Sequence, residues 1–336
     1  MKIDLAVSAE GPDQRQAAAR AERGGYDGLW TSEVRHDPYL ALGLAATATE
    51  RITLGTCIAV AFARNPMTTA VVADDLQALS GGRLVLGLGS QIKAHITRRF
   101  SMPWSHPAAR MREYVLALRA IWGARQSGER LDFQGDFYQH TLLTPMFTPA
   151  PHGHPAPPVL LAGVGTAMTK VAGEVADGFL CHAFTTERYL REVTLPALTA
   201  ARGGSLDGFE MVGAPFLVTG STEEELTASA TAVRRQIAFY ASTPAYRGVL
   251  ELHGWGALQD ELRPLSKAGA WERMGELITD EILDAFAIVG EPTQAGGELT
   301  RRYGDVLTRA SLLTLTATVA STTAEIADAA RKEATA

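Results

Sequence analysis

Glu33, His36, Gln91 and His182 are the polar residues of this chain best placed for proton transfer, because each ends or closely follows a short apolar run that reads as a strand. A carboxylate or an imidazole at such a position can accept or relay a proton, and an amide can orient a substrate by hydrogen bonds. A second kind of chemistry is suggested by Gly163-Val164-Gly165-Thr166, which ends one apolar run and opens a helical one. The first N–H groups of a helix are unpaired and carry partial positive charge, so this turn suits an anion such as a phosphate. His152-Gly153-His154 has the look of a chelate, but it sits between prolines with no acid or cysteine close in sequence, and it reads as loop without a metal. No Ser–His–Asp elbow and no phosphate-binding P-loop is present in the sequence.

These residues act together only if one framework brings the ends of their strands to one place. Strands are expected at 3–7, 28–31, 52–60, 84–88, 159–162, 179–182, 211–218 and within 306–316, with amphipathic helices between them. The helix after the third strand is the best marked. Asn65-Pro66 supplies a cap and a proline at the first helical position, Ser80-Gly81-Gly82 ends it, and Met67, Val71, Val72, Leu76 and Leu79 are expected on its buried face. Helix 108–122 places Met111, Tyr114, Val115, Leu118, Ile121 and Trp122 on one side. The remaining helices are expected at 13–23, 39–49, 167–175, 187–201, 223–240, 293–303 and 324–333, and a strand pair at 131–140.

Eight strand–helix units without a mid-chain linker favour a closed (β/α)8 TIM barrel, read as a single domain over residues 1–336. Insertions are expected after strand 4, at about 93–158, and after strand 7, at about 243–285. In such a barrel the carboxyl ends of the strands form the site, which selects Ser8, Glu33, Cys57, Ile58, Gln91, Gly163, His182 and Thr219.

Bulk properties narrow the class. Net charge is −6, with 20% charged and 46% hydrophobic residues, which argues against a nucleic-acid binder. The two cysteines, Cys57 and Cys181, lie far apart and imply no disulfide framework. The first residues enter a strand without a signal-peptide core, and the apolar run near 54–63 is too short and broken to span a bilayer. A cytoplasmic enzyme without membrane partners is the expectation.

Four stretches, in order, resemble the bacterial-luciferase-like flavin and deazaflavin oxidoreductases, and more closely the branch that uses coenzyme F420. They are GLWTSE at 28–33, LGTCI…ARNP at 54–66, SGGR…GLGS at 80–90, and LAGVGT…AGEVADGF at 161–179, with a later Gly-Glu-Pro opening a helix at 290–292. The resemblance implies hydride transfer between deazaflavin C5 and a small organic substrate. It implies cofactor contacts at Glu33, Thr56, Cys57, Ile58, Gly87, Gly89, Ser90, Ala162, Gly163, Val164, Gly165 and Thr166. It places a strand bulge, often with a non-proline cis peptide, at Cys57–Ile58, against which the ring would rest; a plain central strand is the other reading. Gly87 and Gly89 would let the cofactor chain approach backbone, and Lys93, Arg98 and Arg99 would meet its anionic tail or else form an ordinary solvated loop.

An FMN-dependent monooxygenase of the same fold, and a cofactor-binding relative without chemistry, are the alternatives. Relatives are often homodimers. Two positions depart from the F420 branch: Val34 stands where a histidine is usual, and Ser90 where the sugar-phosphate-oxidising members carry an acid. Glu33 matches the family's acid and is expected on the ring side, unless it pairs with Arg35 or Arg64; His36, Gln91, His95 or His182 would have to substitute for the missing histidine.

Overall fold

A computed structural model describes residues 1–10, 13–313 and 315–335. Its centre is a ring of parallel strands: β1 (Lys2–Val7), β2 (Gly28–Thr31), β3 (Thr53–Thr56), β4 (Leu84–Gly89), β5 (Val159–Gly163), β6 (Gly178–Cys181), β7 (Glu210–Gly213) and β8 (Arg309–Leu312). Each pairs with the next in sequence, and β8 returns to β1, so the sheet closes into an eight-stranded barrel with helices outside. This is the (β/α)8 architecture expected. Of the last expected strand, 309–312 is observed, and Thr314 lies outside the described residues.

Alternation along the strands separates two apolar faces. Leu54, Leu84, Leu86, Leu88, Val159 and Leu161 face the surrounding helices. Trp30, Val85, Leu160, Leu180 and Val212 fill the barrel interior. Trp30 fits because Gly55 sits across from it: a Cβ at Gly55 would lie 2.3 Å from the indole ring. Below Trp30, Arg309 on β8 donates to both oxygens of Asp4 on β1, at 2.7 and 2.8 Å, and the indole N–H donates to the same carboxylate at 2.7 Å. A buried ion pair therefore ties the last strand to the first.

The helices follow their local signals. Asn65 accepts from the N–H of Thr68 at 2.9 Å and caps Pro66–Leu79, and Asp37 accepts from that of Tyr39 at 2.8 Å to cap Pro38–Ala46. Pro107–Ser127 buries all six residues expected to face the core, and runs one turn longer to Gly128.

Four expectations need correction. The buried face of Pro66–Leu79 is Thr69, Ala70, Ala73, Leu76 and Gln77, while Val71 and Leu79 are exposed. Small residues let this helix approach the strands, and Gln77 bonds the backbone of Leu84 and Pro155. The 211–218 run breaks at Ala214-Pro215, because proline offers no N–H to continue the ladder. Phe216–Val218 then pairs with Ala287–Val289 away from the barrel. Helix 187–201 contains a wider π-type turn at Leu190–Thr194, and the final helix begins earlier than expected, at Ala317.

Two excursions leave the barrel. After β4 the chain makes a π-type turn (His95–Arg99), the helix Pro107–Ser127 and a short hairpin pairing Phe133–Gln134 with Gln139–His140. After β7, helices Glu223–Ala241, Arg247–Leu252, Gly256–Ala268, Trp271–Glu276 and Asp280–Phe286 enclose their own apolar cluster, which takes in Phe184 and Tyr189 from the segment after β6. No helix among the described residues is long and apolar enough to cross a membrane.

Candidate active site

Continuing the inward alternation past the Trp30 layer brings Ser8, Ser32, Cys57, Ala162, His182 and Ala214 around the open carboxyl end of the barrel, all solvent-accessible above a buried interior. Five of the six side chains are small, so little side-chain bulk rises from this end of the barrel, the floor of the mouth. Burial pushes the Cys57 thiol up to about 11, and burial reinforced by Cys57 pushes that of Cys181 up to about 12. Both stay protonated at neutral pH, and Cys57 serves the floor as a small apolar group.

The expected bulge is present. The peptide between Cys57 and Ile58 is cis, β3 stops at Thr56, and pairing resumes when Ala59–Val60 meets Leu88–Gly89. Cys57 N–H donates to the Thr31 carbonyl at 2.8 Å, and Glu33 N–H to that of Ile58 at 3.0 Å, which fixes the bulge to the end of β2.

Behind it, Thr56, Gly87 and Gly89 are buried. The Thr56 hydroxyl donates to the Gly87 carbonyl at 2.7 Å and accepts from its N–H at 2.9 Å. A Cβ at Gly87 would lie 1.9 Å from the Thr56 carbonyl oxygen, and one at Gly89 would lie 2.7 Å from Cδ1 of Ile58. Neighbouring protein atoms alone are enough to require glycine at both positions.

Glu33 is buried and its Oε2 accepts from Val60 N–H at 2.8 Å and from Arg64 at 2.7 Å. Arg64 also reaches Asp37 at 2.8 Å and lies over the Tyr39 ring at 5.2 Å. Of the arrangements open in the sequence, the structure contains the pair with Arg64; Arg35 instead pairs with Glu10 at the surface. Burial is the largest single influence and would lower the guanidinium's pKa, but the hydrogen bonds and charges of Glu33 and Asp37 together, with Tyr39, raise it overall and the group stays charged.

His182 is the one imidazole of the floor. Its Nδ1 accepts from Phe184 N–H at 3.0 Å, and its Nε2 faces the Tyr246 hydroxyl at 3.3 Å. Tyr240 and Tyr246 close over the ring, with centroids at 4.7 and 4.9 Å. Burial lowers its pKa to about 4, so it is neutral at physiological pH. These two tyrosines were missed in the sequence because the long excursion after β7 carries no motif; only its aromatic content pointed there.

The remaining candidates are dispersed. His36 and Val34 are exposed on the loop after β2, and Val34 is joined to the β4 excursion by a bond from Arg99 to its carbonyl. Ser90 and Gln91 follow β4; Gln91 has a left-handed backbone, φ 58°, and its amide oxygen faces His95 Nδ1 at 3.1 Å. Lys93 and Arg98 are exposed. Thr219 is not at the mouth: it ends the extra strand Phe216–Val218, with its side-chain hydroxyl buried and unpartnered. His152 does have an acid beside it, Asp74 at 3.1 Å, which also pairs with Arg125.

Ala162 ends β5 inward, and the chain then turns through Gly163, Val164 and Gly165 into helix Thr166–Val175. No side chain caps this helix, and Gly165 and Thr166 are exposed. A Cβ at Gly165 would meet nothing within 4 Å. The turn therefore leaves its first N–H groups open at the same end of the barrel as the floor. A flat ring with an anionic chain fits this pairing of features.

The chain belongs to the luciferase-like monooxygenase family, whose model matches residues 4–309. It is 54% identical over 312 residues to an uncharacterized protein of Mycobacterium tuberculosis, covering 92% of each chain. It is 27% identical to the 5,10-methylenetetrahydromethanopterin reductase of Archaeoglobus fulgidus, over 81% of this chain and 80% of that one. In fold it is similar to the coenzyme F420-dependent tetrahydromethanopterin reductase of Methanopyrus kandleri, with a TM-score of 0.79, 19% identity and 97% of each chain covered.

Proposed function

We propose that the chain, working as one barrel domain, is an oxidoreductase that binds coenzyme F420 at the barrel mouth and transfers a hydride between deazaflavin C5 and a small organic substrate. The observation that carries this reading is the floor of small side chains beside the uncapped helix at Gly165. The names of the Archaeoglobus and Methanopyrus proteins support the choice of cofactor. Cys57, Ile58 and Ala162 would bear the ring, Gly163–Thr166 the phosphate, and Ser90 and the free Oε1 edge of Glu33 its polar margin. The deazaflavin, once bound, supplies a two-electron carrier with little reactivity toward oxygen. The protein's part would be to support the ring on the Cys57–Ile58 bulge, to keep water from its lower face with the Trp30 cluster, and to leave the upper face to the substrate.

The FMN-dependent monooxygenase is the second reading, favoured by Val34 at the position where a histidine is usual in the F420 branch. Fluorescence-quenching titrations with both cofactors separate the two. Tighter binding of F420 is expected; tighter binding of FMN would move the protein to the second reading. In the same titration Gly165→Val should weaken F420 binding by about tenfold or more while the circular dichroism spectrum is retained, because the new side chain stands over the helix N-terminus, where a Cβ meets no protein atom within 4 Å. Unchanged affinity would remove this turn from the site.

A further inference from the structure

The hydrogen bonds of His182 determine where its proton is. Nδ1 accepts the backbone N–H of Phe184, so its lone pair is used and it carries no hydrogen. A neutral imidazole must then hold its hydrogen on Nε2, and that hydrogen points at the other partner it has among the described residues, the Tyr246 hydroxyl oxygen. Tyr246 is therefore an acceptor toward His182, and its own O–H hydrogen is committed to no other group among the described residues. Stacking on Phe184, at 5.5 Å between centroids, and edge contact with Tyr240, at 5.9 Å, fix the phenol in place. The hydroxyl thus stands above the one imidazole of the floor, on a partly buried residue of an element that is not part of the barrel, with a donor hydrogen uncommitted among the described residues.

We propose that Tyr246 is the hydrogen-bond donor to the substrate, aimed by His182, and that the site accordingly selects compounds with a neutral acceptor at the reacting carbon: a carbonyl or an imine. The proposal rests on the reading of the mouth as the active site. Hydride delivery to such a carbon breaks the π bond and leaves the electron pair on oxygen or nitrogen. That atom takes the Tyr246 proton, and the phenolate, held by the His182 N–H, recovers a proton from water. In the reverse direction Tyr246 first gives its own proton to water, and the phenolate, held by the His182 N–H, then accepts the substrate hydroxyl or amine proton as the hydride leaves the carbon for the oxidised deazaflavin. Tyr246 is a catalytic residue in this scheme, and His182 is its positioning residue.

Two measurements test it, neither needing turnover. The first is the nitrogen-15 spectrum of the histidines in the cofactor-free protein, assigned with His182→Gln. His182 should be the neutral Nε2–H tautomer at neutral pH, and Tyr246→Phe should shift its Nε2 resonance. An imidazolium or an Nδ1–H tautomer overturns the proposal. The second is ligand-observed NMR with a panel of ketones and aldehydes of increasing size, each beside its alkene isostere, with and without bound F420. Tyr246→Phe should weaken carbonyl binding by about fivefold to tenfold and leave the isosteres within about twofold. His182→Gln, which keeps an N–H donor, should retain more carbonyl affinity than His182→Leu. No binding by any carbonyl compound, or equal losses for ketone and isostere, overturns the proposal. If F420 itself fails to bind while the tautomer and the carbonyl preference stand, the cofactor reading fails and the Tyr246 assignment survives.

Discussion

Two polar groups at the mouth, His182 half-buried and Glu33 buried, can each be tested by substitution. His182 holds its folded pKa near 4, below the ordinary 6.5, because burial disfavours the charged ring. As pH falls, the unfolded chain binds the proton first. Stability should therefore decline between about pH 6.5 and about pH 4, by roughly 3 kcal/mol from this group, and level off below. Urea unfolding across that range should show a slope that His182→Leu lacks; identical slopes would mean that the ring is charged or exposed in the folded protein. Glu33 is instead held as a carboxylate acceptor between Val60 N–H and Arg64. Glu33→Gln keeps the side-chain shape but leaves Arg64 with Asp37 alone, so a loss of about 1–3 kcal/mol is expected. Weaker F420 binding should accompany it, because the same carboxylate holds Val60, two residues beyond the bulge. If the variant is as stable as the parent and binds F420 normally, Glu33 neither fixes the bulge nor borders the ring.

At the scale of elements, local chemistry made most of the barrel readable. Asn65-Pro66, Asp37-Pro38 and the Gly81-Gly82 pair each specify a helix boundary by backbone geometry alone, and the structure contains each. Where the reading failed, non-local packing had decided. Val71 and Leu79 are apolar yet exposed, because the helix meets the strands through Ala70 and Ala73, and spacing cannot reveal which apolar stripe faces a partner. Gly87 and Gly89 were read for a ligand, and spacing could not show that Thr56, Leu180 and the bulge residue Ile58 already crowd them. The cis bulge at Cys57–Ile58 was readable only through the resemblance, since nothing in the residue types demands it. Tyr246 was out of reach: it lies 64 positions from His182, and only the fold of the β7 excursion joins them.

For the whole molecule, closure and the mouth are one problem: the barrel must be sealed below for the floor above to stay open. Sealing depends on Arg309 and Asp4, 305 positions apart, buried beneath Trp30. Removing one partner strands the other charge, so Arg309→Met should cost about 3–5 kcal/mol in chemical unfolding, whereas replacing both by apolar residues should cost much less. Equal costs for the single and double variants would show that the pair does not act as a unit. The central claim, that this mouth holds a deazaflavin, is tested most directly by a crystal structure of the protein with oxidised F420. The ring is predicted to lie on Cys57–Ile58 and Ala162, with its phosphate at the N–H groups of Gly165 and Thr166 and its open face toward Tyr246. A ring bound elsewhere, or a phosphate away from that helix, would contradict the account.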